Sequence, residues 1–298
     1  DGNGVHFLSH KDQQVTRRFY HDVNDKEGIR SNSVYSLLVD DRGAVWVGHF
    51  QAGLDYSLYQ NGLFRTYAYP PLFNSANLSI RSFVNKGQEK VIGSRDGLFY
   101  INEATGIVKS FVKPVLTSDL ILTICFYQGE YYIGTYGGGM MVLNPETLSL
   151  KYFAQGDTEL FQKGHIFCVK PDAKGNLWIG TSQGLFSYNG QTKQIKSFTS
   201  ANSQLPEGNV YEVSFDSTGK GWIATETGMC IYDPASQSLR SNVFPEGFVN
   251  KDKVRTIYED AEHNLYFIRE KGSLFTSTLT MDRFQNRSIF STLPDNSL

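Results

Sequence analysis

What this 298-residue chain lacks narrows the field first. Neither charge sign dominates: 28 Lys and Arg stand against 30 Asp and Glu, a formal net charge of −2. The basic residues form no runs, so the surface needed to neutralise a phosphate backbone is missing, and nucleic acid is not expected as a partner. Long apolar runs are missing too. Leu120-Ile121-Leu122, with 124–127 close behind, falls well short of the roughly 20 residues a membrane helix requires, so no membrane span is expected. Three cysteines, an odd number, cannot close a complete disulfide framework. Cys125, Cys168 and Cys230 show neither CxxC nor His-flanked spacing and read as small buried hydrophobes. The opening Asp1-Gly2-Asn3-Gly4 carries no Met and no apolar signal core, which reads as a processed or excised piece.

What is present is a repeat. An aromatic-aliphatic-small string recurs as Trp46-Val47-Gly48, Val91-Ile92-Gly93, Tyr132-Ile133-Gly134, Trp178-Ile179-Gly180, Trp222-Ile223-Ala224 and the degenerate Tyr266-Phe267-Ile268, at steps of 41 to 46 residues. The first five are followed by a Gly-Leu or Gly-Met pair such as Gly53-Leu54, Gly184-Leu185 or Gly228-Met229, the sixth by Gly272 with Leu274, and each is preceded by an apolar lead residue: Val34, Ile80, Ile121, Ile166, Val210 or Val254. A period near 44 is that of a propeller blade. Inside each unit the hydrophobic pattern alternates with period two, and no segment longer than a turn shows helical spacing. Asp41-Arg42-Gly43, Asp172 to Gly175 and Asp216 to Gly219 supply the caps and positive φ of tight hairpins.

The expected fold is therefore all-β: a β-propeller of four-stranded antiparallel blades, each sheet burying its faces against its neighbours. Blade repeats start near residues 32, 78, 119, 164, 208 and 252, and residues 1–20 match only the last two strands of a further unit. Seven blades with one incomplete are expected, six being the alternative. The whole chain, 1–298, reads as a single β-propeller domain and a fragment of a longer ectodomain. Gly48, Gly93, Gly134 and Gly180 are placed where blades crowd, and the bulky Trp or Tyr that most units carry two residues earlier fills the wedge between sheets.

The unit Asn-x-Val-x-x-Ile/Leu-x-x-Asp-x-x-Gly-x-x-Trp-Ile/Val-Gly-Thr-x-x-Gly-Leu resembles the two-component regulator propeller repeat, most clearly at 32–54, 166–185 and 209–229. Val91 and Ile268 depart from the pattern. The resemblance implies the periplasmic sensor half of a Bacteroides-type hybrid two-component histidine kinase, the extracytoplasmic part of an inner-membrane protein. It implies an oligosaccharide ligand, control of polysaccharide-utilisation genes, and further propeller repeats and a membrane-linked kinase in the parent chain, with a homodimer as an option. This fragment itself is expected to be non-catalytic.

In a propeller the loops from second to third strands lie on one face with those leading into the first strands. The first set varies from unit to unit, as binding loops on a rigid scaffold do. Its expected ligand-binding residues are His49, Phe50, Arg95, Asp96, Tyr136, Gln183, Glu226, Arg269 and Lys271, combining rings that stack on sugars with groups that bond hydroxyls. Alternatives remain open: a propeller glycosidase or polysaccharide lyase, or a protein-binding scaffold. No catalytic residue, metal ligand or cofactor is assigned. Glu212, Glu226, Asp96 and Glu270 supply no singled-out acid pair, the six His form no HxH or HExxH spacing, and Gly137-Gly138-Gly139 lacks the Lys-Ser/Thr ending of a phosphate loop. The Arg-Ile-Pro signature of sialidases is absent despite an Asp-box-like turn at 172–178.

Overall fold

The alternating segments fold as strands. The computed structural model describes residues 2–9, 15–25, 28–40, 43–58, 64–66, 79–153, 158–241, 253–269, 274–278 and 284–287. The architecture is an all-β propeller type built of four-stranded antiparallel blades, and its contacts divide the chain into two compact units, Asp1–Phe126 and Tyr127–Leu298.

The first unit opens with β1 (Val5–Leu8) and β2 (Val15–Phe19), a two-stranded antiparallel sheet. Its first blade runs β3 (Val34–Val39), β4 (Ala44–His49), β5 (Leu54–Leu58) and β6 (Phe64–Thr66); its second runs β7 (Ile80–Lys86), β8 (Glu89–Ser94), β9 (Leu98–Asn102) and β10 (Ile107–Phe111). Strand β11 (Ile121–Tyr127) crosses the division. In the second unit β12 (Glu130–Thr135), β13 (Met140–Asn144) and β14 (Ser149–Tyr152) pair in order. A six-residue helix, α1 (Thr158–Lys163), follows. Three whole blades complete the unit: β15 (Ile166–Pro171), β16 (Asn176–Thr181), β17 (Gly184–Asn189) and β18 (Ile195–Phe198); β19 (Val210–Phe215), β20 (Gly221–Thr225), β21 (Gly228–Asp233) and β22 (Ser238–Arg240); β23 (Val254–Glu259), β24 (Asn264–Arg269), β25 (Leu274–Thr278) and β26 (Phe284–Arg287).

Among the described residues five four-stranded blades lie wholly within one compact unit, two in the first and three in the second. That count corrects the expectation of seven blades with one incomplete, and equally the alternative of six. A repeat period counts strands along the chain, whereas a blade is whole only where its four strands share one compact unit. The strands β11 to β14 fall across the division, and residues 1–20 supply two strands only. Leu298, which echoes the start of a unit, lies outside the described residues. Helix α1 is a second correction, since the period-two pattern gave no helix. It is one and a half turns long, with Leu160 and Phe161 buried, and Gly164 closes it through an N–H bond to the Leu160 carbonyl at 2.7 Å.

The Asp-x-x-Gly-x-x-Trp spacing has a clear physical origin. One oxygen of each turn Asp caps the hairpin and the other holds the ring two residues into the next strand. Asp172 Oδ1 accepts the Asn176 N–H at 2.8 Å while Oδ2 accepts the Trp178 indole N–H at 2.9 Å. Asp40 does the same for Ala44 and Trp46, Asp216 for Lys220 and Trp222, and Asp260 for Asn264 and the Tyr266 hydroxyl. A buried Trp needs a partner for its N–H, and this turn supplies it. His263 takes the positive-φ place, at 64°, that Gly175 fills at 79°.

Those rings form the wedge cores. Trp46 packs with Ile80, Ile92 and Phe99 of the following blade, Trp178 with Val210, Val213 and Ile223, and Trp222 with Val254, Ile257 and Phe267. The string's glycine sets how near the next sheet can come. A Cβ on Gly93 would lie 2.5 Å from Ile121 Cγ2, and one on Gly180 would lie 2.8 Å from the Val210 carbonyl oxygen. The lead residue of one repeat thus sits on the glycine of the one before, as the crowding argument requires. All three cysteines are free and buried.

Candidate functional site

Every whole blade carries one irregularity at one place. Pairing of the first two strands skips a residue between Val34 and Ser36, Ile80 and Ser82, Ile166 and Cys168, Val210 and Glu212, and Val254 and Thr256. The skipped residues are Tyr35, Arg81, Phe167, Tyr211 and Arg255, an aromatic or an arginine each time. A bulge frees one residue from the ladder and re-aims its side chain, and bulges recur beside functional sites. The lead residue before the bulge is buried in four of the five, Ile80, Ile166 and Val210 fully covered and Val254 nearly so, while Val34 is half-buried.

A backbone bond ties four of the five bulge regions to the loop after the second strand. The N–H groups of Phe50, Arg95, Ser182 and Glu226 donate to the carbonyls of Ser33, Ser79, His165 and Asn209, each two positions before the bulged residue, at 2.9, 3.0, 3.2 and 2.9 Å. A hydroxyl then staples that loop. Ser94, Thr135, Thr181 and Thr225 donate to the carbonyls of Gly97, Gly139, Gly184 and Gly228. The first three also accept the N–H of Asp96, Gly138 and Gln183. The loops are therefore held, and the exposed side chains they carry are pre-positioned.

In the first unit, Tyr35 lies 5.1 Å from Phe50, and the Arg81 guanidinium sits 4.8 Å over the Tyr35 ring. In the second unit a longer row forms. Tyr136 stacks on His165 at 4.0 Å and 28°; His165 is 6.2 Å from Phe167; Phe167 meets Tyr211 edge-on at 5.2 Å. Tyr211 is then flanked by Arg255 at 4.7 Å and Lys253 at 5.0 Å, and its hydroxyl accepts the Asn209 amide N–H at 3.1 Å. Cation–π contacts of this kind are worth roughly 0.5–1 kcal/mol each at exposed sites, enough to align the guanidinium on the ring.

The residues expected from sequence fall unevenly. Phe50 and Tyr136 join these aromatic groups; Tyr136 is half exposed. Arg95, Asp96 and Gln183 are exposed on stapled loops. Glu226 is half-buried, its carboxylate accepting the Asn209 N–H at 3.3 Å. His49 is fully buried instead, bonded through Nε2 to the equally buried Asp55 at 2.8 Å, and Asp55 also accepts the Arg30 N–H. It stands where other blades have the stapling hydroxyl. The Arg269 side chain and Lys271 lie outside the described residues. The bulged residues were missed by sequence reasoning, although a signal existed: the position after each lead residue is aromatic or Arg in all five whole blades.

One acid beside the row is shifted by its surroundings. Burial pushes Glu212, next to Tyr211 in β19, above the usual carboxylate range, and Lys170 at 3.6 Å opposes the shift. Burial likewise raises the Cys168 and Cys230 thiols. Among the described residues no group of three His, Cys, Asp or Glu is placed to hold a metal ion, and no helix is long and apolar enough to cross a membrane.

The family model described as "Two component regulator propeller" matches residues 28–51 and 161–183, two stretches that each run through a bulge, at Tyr35 and Phe167, into the loop beyond. Among solved structures the chain is similar to the extracellular domain of the hybrid two component system BT3049 of B. thetaiotaomicron, with a TM-score of 0.74 at 22% identity, over 99% of this chain and 38% of that one. It is also similar to the extracellular domain of BT4673 of the same organism, with a TM-score of 0.58 at 15% identity, over 93% and 40%. A β-propeller domain from Myceliophteria thermophila, Cps50 (Swd1), matches with a TM-score of 0.63 at 13% identity, over 87% of both chains. At these identities the likeness is one of fold. The chain spans about two fifths of the length of the two B. thetaiotaomicron domains. No curated protein matches it.

Proposed function

We propose that this chain is part of the extracytoplasmic, ligand-sensing region of a hybrid two-component sensor, and that its ligand is an oligosaccharide taken along the bulge row. The observation carrying this reading is the row Tyr136–His165–Phe167–Tyr211–Arg255, assembled from one repeated bulge and the loop before it. Aromatic faces pack on the C–H faces of sugar rings, while Asn209 and the Tyr211 hydroxyl offer bonds to sugar hydroxyls. Support for the sensor context comes from the matched family model and from fold likeness to extracellular domains of hybrid two component systems. The parent protein would place the module in the periplasm and carry the kinase elsewhere. Binding would bias two arrangements of the sensor by differential affinity, with no chemistry in this fragment.

A panel of plant, host and microbial oligosaccharides, titrated by calorimetry and followed by product analysis, tests the reading. Binding without turnover is expected. Cleaved products would replace the sensor reading with an enzymatic one, and silence across the panel would refute an oligosaccharide ligand for this unit.

A further inference from the structure

The bulge row leaves a large concavity of the second unit unused. A cleft of about 540 Å³ is lined by the blades β15–β18 and β19–β22 and by the Asp172 and Asp216 turns. Those turns follow the first strands, whereas the bulges lie at the strands' beginnings. The volume falls within the roughly 300–1,000 Å³ of small-ligand sites. Apolar lining comes from Ile195, Tyr232 and Pro234, together with Trp178 and Phe198, whose rings stack at 5.6 Å.

The polar lining divides sharply. Asp172 is fully engaged: Oδ1 takes the N–H groups of Lys174 and Asn176, and Oδ2 takes the Asn176 amide and the Trp178 indole. By contrast, the side chains of Ser187, Gln194 and Gln237 and the hydroxyl of Tyr232 hold no hydrogen bond with a described residue. Burial first, then the Asp172 and Asp233 carboxylates, push the Tyr232 phenol up, so it keeps its O–H at neutral pH. Unspent hydroxyls and amides both donate and accept, as sugar hydroxyls do.

We propose that this cleft is a second ligand site that takes a single hexopyranose ring, its C–H face on the Tyr232–Ile195–Pro234 strip and its hydroxyls on Ser187, Gln194, Gln237 and the Tyr232 O–H. The site is separate from the bulge row and stands without it. Lys196, whose ammonium lies 4.8 Å over Phe198 and reaches the Gln237 carbonyl at 3.3 Å, closes one side.

The test uses methyl glucopyranoside, galactopyranoside and mannopyranoside, titrated onto the protein with saturation-transfer NMR. At least one is expected to bind, with affinity lowered about tenfold, the size of one lost hydrogen bond, by Tyr232→Phe and by Gln194→Ala. Tyr232→Phe removes a single oxygen and Gln194 is exposed, so both variants should keep the fold. Glu146→Gln, on the exposed turn between β13 and β14 and outside both the cleft and the bulge row, should leave this binding unchanged. The proposal is overturned if no pyranoside binds, if both cleft variants bind like the parent, or if Glu146→Gln lowers the affinity as far as the cleft variants do.

Discussion

Replacing Gly93 by Ala isolates the contact that spaces the repeats. Gly93 is not at positive φ, so an alanine there meets no backbone strain. In open space it would stabilise by about 0.4–1 kcal/mol, because the unfolded chain loses freedom. Here the new methyl would fall 2.5 Å from Ile121 Cγ2, 2.9 Å from its Cβ and 3.1 Å from Ile124 Cδ1, against a lead residue that is fully buried. Overpacking of this kind costs roughly 1–3 kcal/mol, so the net sign turns destabilising. Urea denaturation followed by far-UV circular dichroism reads the difference. Trimming the obstacle should then relieve part of the strain: Gly93→Ala with Ile121→Ala should be less damaging than the two single losses added, by on the order of 1 kcal/mol. An unchanged or higher urea midpoint for Gly93→Ala would refute the reasoning.

Three further outcomes follow from the geometry. Asp172→Ala strands the buried Trp178 N–H and two turn N–H groups and should cost about 2–4 kcal/mol in urea unfolding, Asp172→Asn losing less; equal stability of Asp172→Ala and the parent would be the contrary result. Because burial raises Glu212 in the folded state, its contribution is fullest below its ordinary value and fades as pH rises through the raised one. The stability of Glu212→Gln relative to the parent should therefore improve from about pH 4 to pH 7, and a pH-independent difference would contradict this. Cys168 and Cys230, buried with raised thiols, should resist iodoacetamide until urea unfolds the protein, as mass spectrometry can show; labelling of the native protein would count against their burial.

Much of the fold was legible because its determinants are local. The Asp-Gly turn, the ring it holds and the glycine behind it lie within nine residues, so Asp172, Trp178 and Gly180 announce one another in the sequence. Blade count was not legible in the same way. It depends on which strands pack into one unit, and the residues around β11 repeat like any others while the contacts divide there. Helix α1 was missed because six residues give too short a pattern to separate from a turn. The site was half legible. Variation among loops exposed Phe50, Tyr136 and Gln183, but His49 shows that loop position does not guarantee exposure: its ring turns inward to Asp55. Bulged residues escaped because alternation hides a skip of one. Phe167 and Tyr211 look like ordinary strand residues until the register is known.

The central claim is that one repeated bulge presents a saccharide-binding row, and calorimetry on the pair Phe167→Ala and Tyr211→Ala addresses it most directly. With a saccharide that binds the parent protein, each variant should lose at least about tenfold in affinity, since removing a stacking ring costs on the order of 1–3 kcal/mol, while urea midpoints stay near the parent's. Parent-like affinity in both variants would show that the row holds no sugar.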